Sequence, residues 1–102
     1  MKSTSVSRLS VPIDVNWSSV NIAKVNGNAV RFRTMKDTTA PWHVHADSDE
    51  LFFVLSGAVV IETDEGALQL KEQELFVVPA GVKHRSRVEG LATLLVIANV
   101  DV

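Results

Sequence analysis

The 102-residue chain contains no cysteine. Disulfide stapling and thiol chemistry are therefore excluded, and sulfur usage does not distinguish an oxidising from a reducing compartment. Excess basic charge is missing as well: 10 Lys and Arg stand against 12 Asp and Glu, for a formal net charge of −2. The cationic footprint of a nucleic-acid binder is thus absent. No apolar run approaches the roughly 18 residues of a membrane-spanning helix. The opening MKSTSVSRLSVPIDV has only scattered apolar residues and no signal-peptide core. These absences predict a cytoplasmic protein with no nucleic-acid and no membrane partner. Internal repeats, low-complexity tracts and charge runs are also missing, and no helix-length stretch shows a persuasive 3.6-residue apolar stripe. The length allows one domain with a single modest core.

What the chain has is valine, at 17 positions. β-Branched side chains pack well on a pleated surface, so this composition favours strands. Residues 1–19 read as a Ser-rich N-terminal arm, in which the alternation of Leu9, Val11 and Ile13 suits one edge strand; Pro12 keeps it from a sheet centre. Residues 20–102 read as the barrel domain. Val20–Val25 and Ala29–Met35 flank Asn26-Gly27, a strong hairpin signal. After a polar connection at Lys36–Pro41, short strands are expected at Trp42–Ala46, Leu51–Ser56, Ala58–Thr63, Ala67–Leu70, Leu75–Val78, Arg85–Val88 and Leu91–Asn99. Gly57, Asp64-Glu65-Gly66, Pro79–Gly81 and Glu89-Gly90 punctuate them. Many short strands with regular turns predict an all-β sandwich or barrel. The runs LFFVLS, AVVI, LFVV and LLVIA are apolar on both faces, where a strand with one wet face should alternate. Either the arm covers the outside of the barrel or a second subunit does, and the expectation is a homodimer.

All three histidines fall in two short segments, residues 41–57 and 74–88. On a strand, His43 and His45 point to the same face. Glu50 follows a short polar turn and is expected to open the next antiparallel strand beside them. His84 begins a new strand after a turn built on Pro79 and Gly81. Two imidazoles, a neighbouring carboxylate and a third imidazole brought from a distant strand make a good donor set for a divalent transition metal.

Two patterns carry a family resemblance. H-x-H-x4-E-x6-G is met by His43, His45, Glu50 and Gly57, and P-x-G-x2-H by Pro79, Gly81 and His84. In this order they resemble the two motifs of the cupin superfamily, and the short spacer is similar to that of small bacterial members. The resemblance spans about residues 29–99. It implies an antiparallel jelly-roll β-barrel holding one divalent metal (Fe, Mn, Ni or Zn), with His43, His45, Glu50 and His84 as ligands. Three positions depart from the family pattern. Asp37 stands where the first motif has Gly, Gln73-Glu74 where the second opens with Gly-Asp, and Val88 where it ends with Asn.

Alternation from Glu50 turns Phe52 and Val54 inward, and alternation from His84 turns Ser86 inward, predicting a mainly apolar pocket. Arg31 and Arg33 alternate with Val30 and Phe32, which places the arginines in solvent. In the opposite register Arg33 reaches the cavity and holds an anionic ligand by a bidentate contact. Trp42 faces away from the ligands. The function these residues suggest is metal-dependent chemistry on a small molecule, of the dioxygenase, isomerase or decarboxylase kind. The alternative is a non-enzymatic module that binds or senses a small ligand or the metal itself.

Overall fold

The computed structural model describes residues 1–12 and 14–102. Its strands are β1 (Trp17–Val25), β2 (Asn28–Thr39), β3 (Glu50–Ser56), β4 (Val59–Thr63), β5 (Gly66–Leu70), β6 (Leu75–Val78) and β7 (His84–Asn99). β1 and β2 form the hairpin, with Val25 paired to Asn28. Asn26 and Gly27 both have positive φ, 49° and 79°, as the favoured two-residue turn requires. All pairings are antiparallel. One ladder runs β1-β2-β7-β3-β6, while β4 joins β5 to β7. The result is the antiparallel jelly-roll β-barrel.

β7 connects the two layers. Its first residues, His84–Arg87, pair with β4, and its later residues pair with β2 and β3. The expected turn at Glu89-Gly90 is instead a bulge within this single 16-residue strand. The expected connection at Lys36–Pro41 is likewise mostly strand, since β2 continues to Thr39. The two irregularities face each other: Lys36 pairs with Leu91 and Thr38 with Val88, with the register shifting between them. Asp37, at φ 45°, accepts the Gly90 N–H on its Oδ1 at 2.7 Å. Bulges bend strands without ending them, so β2 and β7 turn the barrel corner together. Asp37 thus holds the left-handed conformation at the position where the family pattern has Gly, as does Gln73 (φ 65°).

The inward residues Met35, Phe52, Val54, Val59, Ile61, Leu70, Val78, Val88, Ala92, Leu94 and Val96 form one core. Gly57 lies against the corner of β7, where a Cβ would collide with the Leu91 carbonyl oxygen and crowd Ala92. In the arm, Val6–Arg8 form one 3-10 turn. Residues 9–12 join no ladder, and Ile13 lies outside the described residues, so the strand expected there is not found at Leu9 and Val11. Instead Val6, Leu9 and Val11 share a cavity with Phe32, Leu55 and Thr93 on the outer sheet face. Among the described residues, no helix is long and apolar enough to cross a membrane.

Candidate metal centre

His43, His45, Glu50 and His84 converge at one end of the barrel, their ligating atoms all within 4.8 Å of one another. Three different local devices place them. Glu50 is the first residue of β3, paired with Val78 at the end of β6. His84 opens β7 after a turn in which Val82 N–H donates to the Pro79 carbonyl at 3.2 Å, with Gly81 at φ 83°. His43 and His84 exchange both backbone hydrogen bonds, at 3.0 and 2.9 Å. The strand expected at Trp42–Ala46 is reduced to this isolated bridge. Pro41 before it has no N–H to extend a ladder, and after it the chain leaves to meet the turn, where Gly81 N–H donates to the His45 carbonyl at 2.8 Å. Glu50 therefore does not pair with the histidine segment; it reaches the site from β3, between β6 and β7. Asp49 closes the assembly, its Oδ1 accepting the Ala80 N–H at 2.8 Å.

The imidazoles are oriented from behind. His43 Nδ1 donates to the Pro41 carbonyl at 3.0 Å and His84 Nδ1 to the Val82 carbonyl at 2.8 Å. A carbonyl only accepts, so each Nδ1 carries the proton and each Nε2 is aimed inward. The three Nε2 atoms surround Glu50 Oε1, His43 and His45 at 3.7 Å and His84 at 2.8 Å. Side-chain exposure falls from 36% at His43 and 22% at His45 to 4% at Glu50 and 2% at His84, so the site opens on the His43–His45 side. Burial pushes the His84 imidazolium down, but its hydrogen bonds to Glu50 and the Val82 carbonyl outweigh this and hold it above the ordinary histidine value. Burial likewise pushes Glu50 up, yet the His84 hydrogen bond and the surrounding positive charges bring it below the ordinary carboxylate value. His45 is lowered, first by burial, against the opposing pull of Glu50. Three nitrogens and one oxygen on fixed backbone, with two imidazoles locked from behind, fit a divalent transition ion.

The adjoining cavity, about 200 Å³, departs from the apolar pocket expected. Trp17, Arg31 and Arg33 line it together with Pro41, His43, His45 and Glu50. Phe52, Val54 and Ser86 are buried but do not line it. Phe52 and Val54 belong to the core, the Phe52 ring standing edge-on to His84 at 6.1 Å. Ser86 points its hydroxyl at Met35 Sδ. Below Glu50 the barrel is filled, so its inward positions form a floor rather than a wall. Arg33 takes the inward register, directly opposite Leu94, and Phe32 pairs with Leu95 on the outer face. Arg33 stacks on Trp17, its guanidinium carbon 4.4 Å from the ring centroid. Burial pulls the guanidinium down to about 10, with Glu50 opposing; it stays charged at neutral pH.

Sequence reading missed Trp17 and Arg31. Trp17 fell within the presumed arm, and the bulge between Asn21 and Ala23 that sets its register leaves no clear mark in the residues. Trp42, on the other side, packs under Arg85, whose guanidinium carbon is 4.6 Å from its ring centroid.

A jelly-roll barrel with three histidines and one glutamate at its open end defines a class of β-barrel proteins suited to holding a metal. The family model for the cupin domain matches residues 30–98, and the chain belongs to the cupin family. It is 37% identical over 71 residues to the uncharacterized protein YdbB of Bacillus subtilis, a match covering 69% of this chain and 62% of that protein. Among solved structures it is similar to a cupin-2 domain containing protein from Shewanella frigidimarina, with TM-score 0.77, 28% identity, and 83% and 82% of the two chains covered. The protein TT1209 from Thermus thermophilus shares the fold, with TM-score 0.85, 24% identity and 97% of each chain covered.

Proposed function

We propose that His43, His45, Glu50 and His84 bind one divalent transition metal ion, and that a small molecule is bound and transformed in the cavity beside it. The observation that carries this reading is the inward aim of the His43 and His84 Nε2 atoms, imposed by the Pro41 and Val82 carbonyls. Imidazoles merely decorating a surface have no need of such locking. When bound, the ion supplies Lewis acidity toward a ligand oxygen, and electron transfer if it is redox-active. The chain supplies the rest. Glu50 brings the single negative charge, Phe52 and the core exclude water from below, and the open His43–His45 side admits the ligand. Metal analysis of protein purified without a histidine tag tests the reading: about one ion per wild-type chain and none in His84→Ala is expected.

A second reading is a binding or sensing module. It is favoured by the lining of the cavity, whose described side chains offer no carboxylate or imidazole outside the four donors to act as a separate general base. Turnover assays with and without oxygen, beside ligand-binding measurements, separate the two.

We further propose a homodimer built on the outer face of β3, β6 and β7. Register puts Leu51, Phe53, Leu75, Val77, Leu95 and Ile97 together there, and Leu75 and Val77 are exposed. Among the described residues, Val6, Leu9 and Val11 of the arm share a cavity with the neighbouring Phe32 and Leu55. A second copy of the same apolar face is self-complementary, as a two-fold interface requires.

A further inference from the structure

The metal centre leaves one charged group of its cavity unexplained. Arg33 Nε is buried without a hydrogen-bond partner among the described residues. Its neighbour Arg31 is committed elsewhere, donating to the Asn21 side chain at 3.2 Å and to the Val100 carbonyl at 3.4 Å. Glu50 attracts Arg33 through space, yet no ion pair links them, and that carboxylate is surrounded by the three imidazoles. The guanidinium carbon lies over the Trp17 ring, 4.4 Å from its centroid, and both residues line the cavity. A buried donor without a partner is expensive, and such groups in native structures have an explanation.

Charge sharpens the point. A divalent ion with Glu50 as its one anionic ligand leaves a single positive charge, and among the side chains lining the cavity Arg33 and Arg31 add two more. Repulsion at this range is strong in a partly desolvated cavity, so the loaded site is an electrostatic trap for an anion. The cavity is about 200 Å³. That equals the liquid volume of about seven waters, so the anion is small.

The geometry points to a small organic acid as the ligand of this cavity, one carboxylate held by the Arg33 guanidinium and a second oxygen directed to the His43–His45–Glu50–His84 cluster. The class comprises short dicarboxylates and 2-hydroxy or 2-oxo acids. Arg33 is here the specificity-determining residue, since a planar fork matches a carboxylate and a neutral ligand leaves it unpaired. The inference rests on the metal reading above, and the experiment reports the two separately.

Metal content is measured by elemental analysis for wild type, Arg33→Met and Arg33→Lys. Each protein is then titrated calorimetrically, with nickel-loaded samples wherever the ion is retained, using malonate, glycolate and the neutral malonamide. Circular dichroism checks the fold of each variant. The expected result is equal metal content in all three, wild-type binding of malonate or glycolate but not malonamide, and an affinity loss of roughly tenfold to a hundredfold in Arg33→Met. Arg33→Lys, which keeps the charge and loses the fork, should fall between. Equal acid affinity in wild type and Arg33→Met overturns the proposal, as does tighter binding of malonamide or failure of wild type to bind either acid. If no protein takes up nickel, the metal reading fails; Arg33-dependent acid binding by the metal-free chain then still supports the anion site, and its absence overturns it.

Discussion

His84 donates from both ring nitrogens, to the Val82 carbonyl through Nδ1 and to Glu50 Oε1, 2.8 Å away, through Nε2. In the metal-free chain, then, a proton lies between the two most buried members of the cluster, on an imidazole held above its ordinary value. A metal ligand must present a lone pair, so that proton has to leave when an ion enters.

Metal uptake is therefore expected to release protons near neutral pH and to weaken on acidification through the histidine range, about 6.5 for a free imidazole. Calorimetric titration in two buffers of different ionisation enthalpy measures the release. His84→Ala should lose more affinity than the roughly 10–100-fold typical of a group that only supports a ligand. Unchanged proton release in that variant contradicts the assignment.

The same pair gives the metal-free protein a pH window. Glu50 titrates below its unfolded value, so its contribution is complete above about pH 4.3 and is lost as pH falls through the lowered folded value. His84 titrates above its unfolded value, so its contribution is complete below about pH 6.5 and is lost as pH rises through the raised folded value. Chelator-treated wild type should show its greatest advantage in Tm over Glu50→Gln between those two values. A constant difference from pH 4 to 8 contradicts the pairing.

Gly57 bears on stability rather than chemistry. At φ 77° and against the Leu91 carbonyl, it admits no Cβ without moving β7. Gly57→Ala should lower Tm by on the order of 10 °C, from about 2 kcal/mol of strain and displacement. Gly27→Ala, with a similar φ of 79° but open space around it, should cost about 1 kcal/mol. Thermal melts that rank the two in the opposite order refute the packing argument.

Asp37 and Gln73 share a conformation but not its consequences. Gln73→Gly relieves a left-handed φ and should leave stability within about 1 kcal/mol of wild type. Asp37→Gly also removes the bond to Gly90 N–H and should destabilise by about 1 kcal/mol or more. Denaturant unfolding checks both.

The dimer face predicts a particle of twice 11.1 kDa in light scattering at micromolar concentration. Stable interfaces bury about 1,200–2,000 Å² in total, and a charge at the centre of an apolar one is not tolerated. Phe53→Glu should yield monomers that keep their metal. A monomeric wild type ends the proposal.

Much of the architecture was legible along the chain because its signals are local. Asn26-Gly27 demands a tight hairpin, and the two histidine motifs set the four donors at spacings that belong to the cupin barrel. The inward positions of Phe52, Val54 and Ser86 followed from period-two alternation counted from Glu50 and His84. Even where Asp37 and Gln73 replaced glycine, the backbone kept the left-handed conformation, so the motif's geometry outlived its residues.

Other features were decided by the tertiary structure, because they depend on what lies across a ladder. The Glu89-Gly90 pair reads locally as a turn and becomes a bulge because Asp37 faces it from β2. The side to which Arg33 points could not be read from alternation, since Phe32, on the opposite face, is also buried, beneath Leu9 and Val11 of the arm. Trp17 reaches the cavity only through a bulged register with β2. Sequence alone determined most of the strands and, with the two motifs, the four candidate ligands, through spacing and side-chain chemistry; long-range pairing decided that the cavity beside them is cationic, because only pairing sets which face of a strand looks inward.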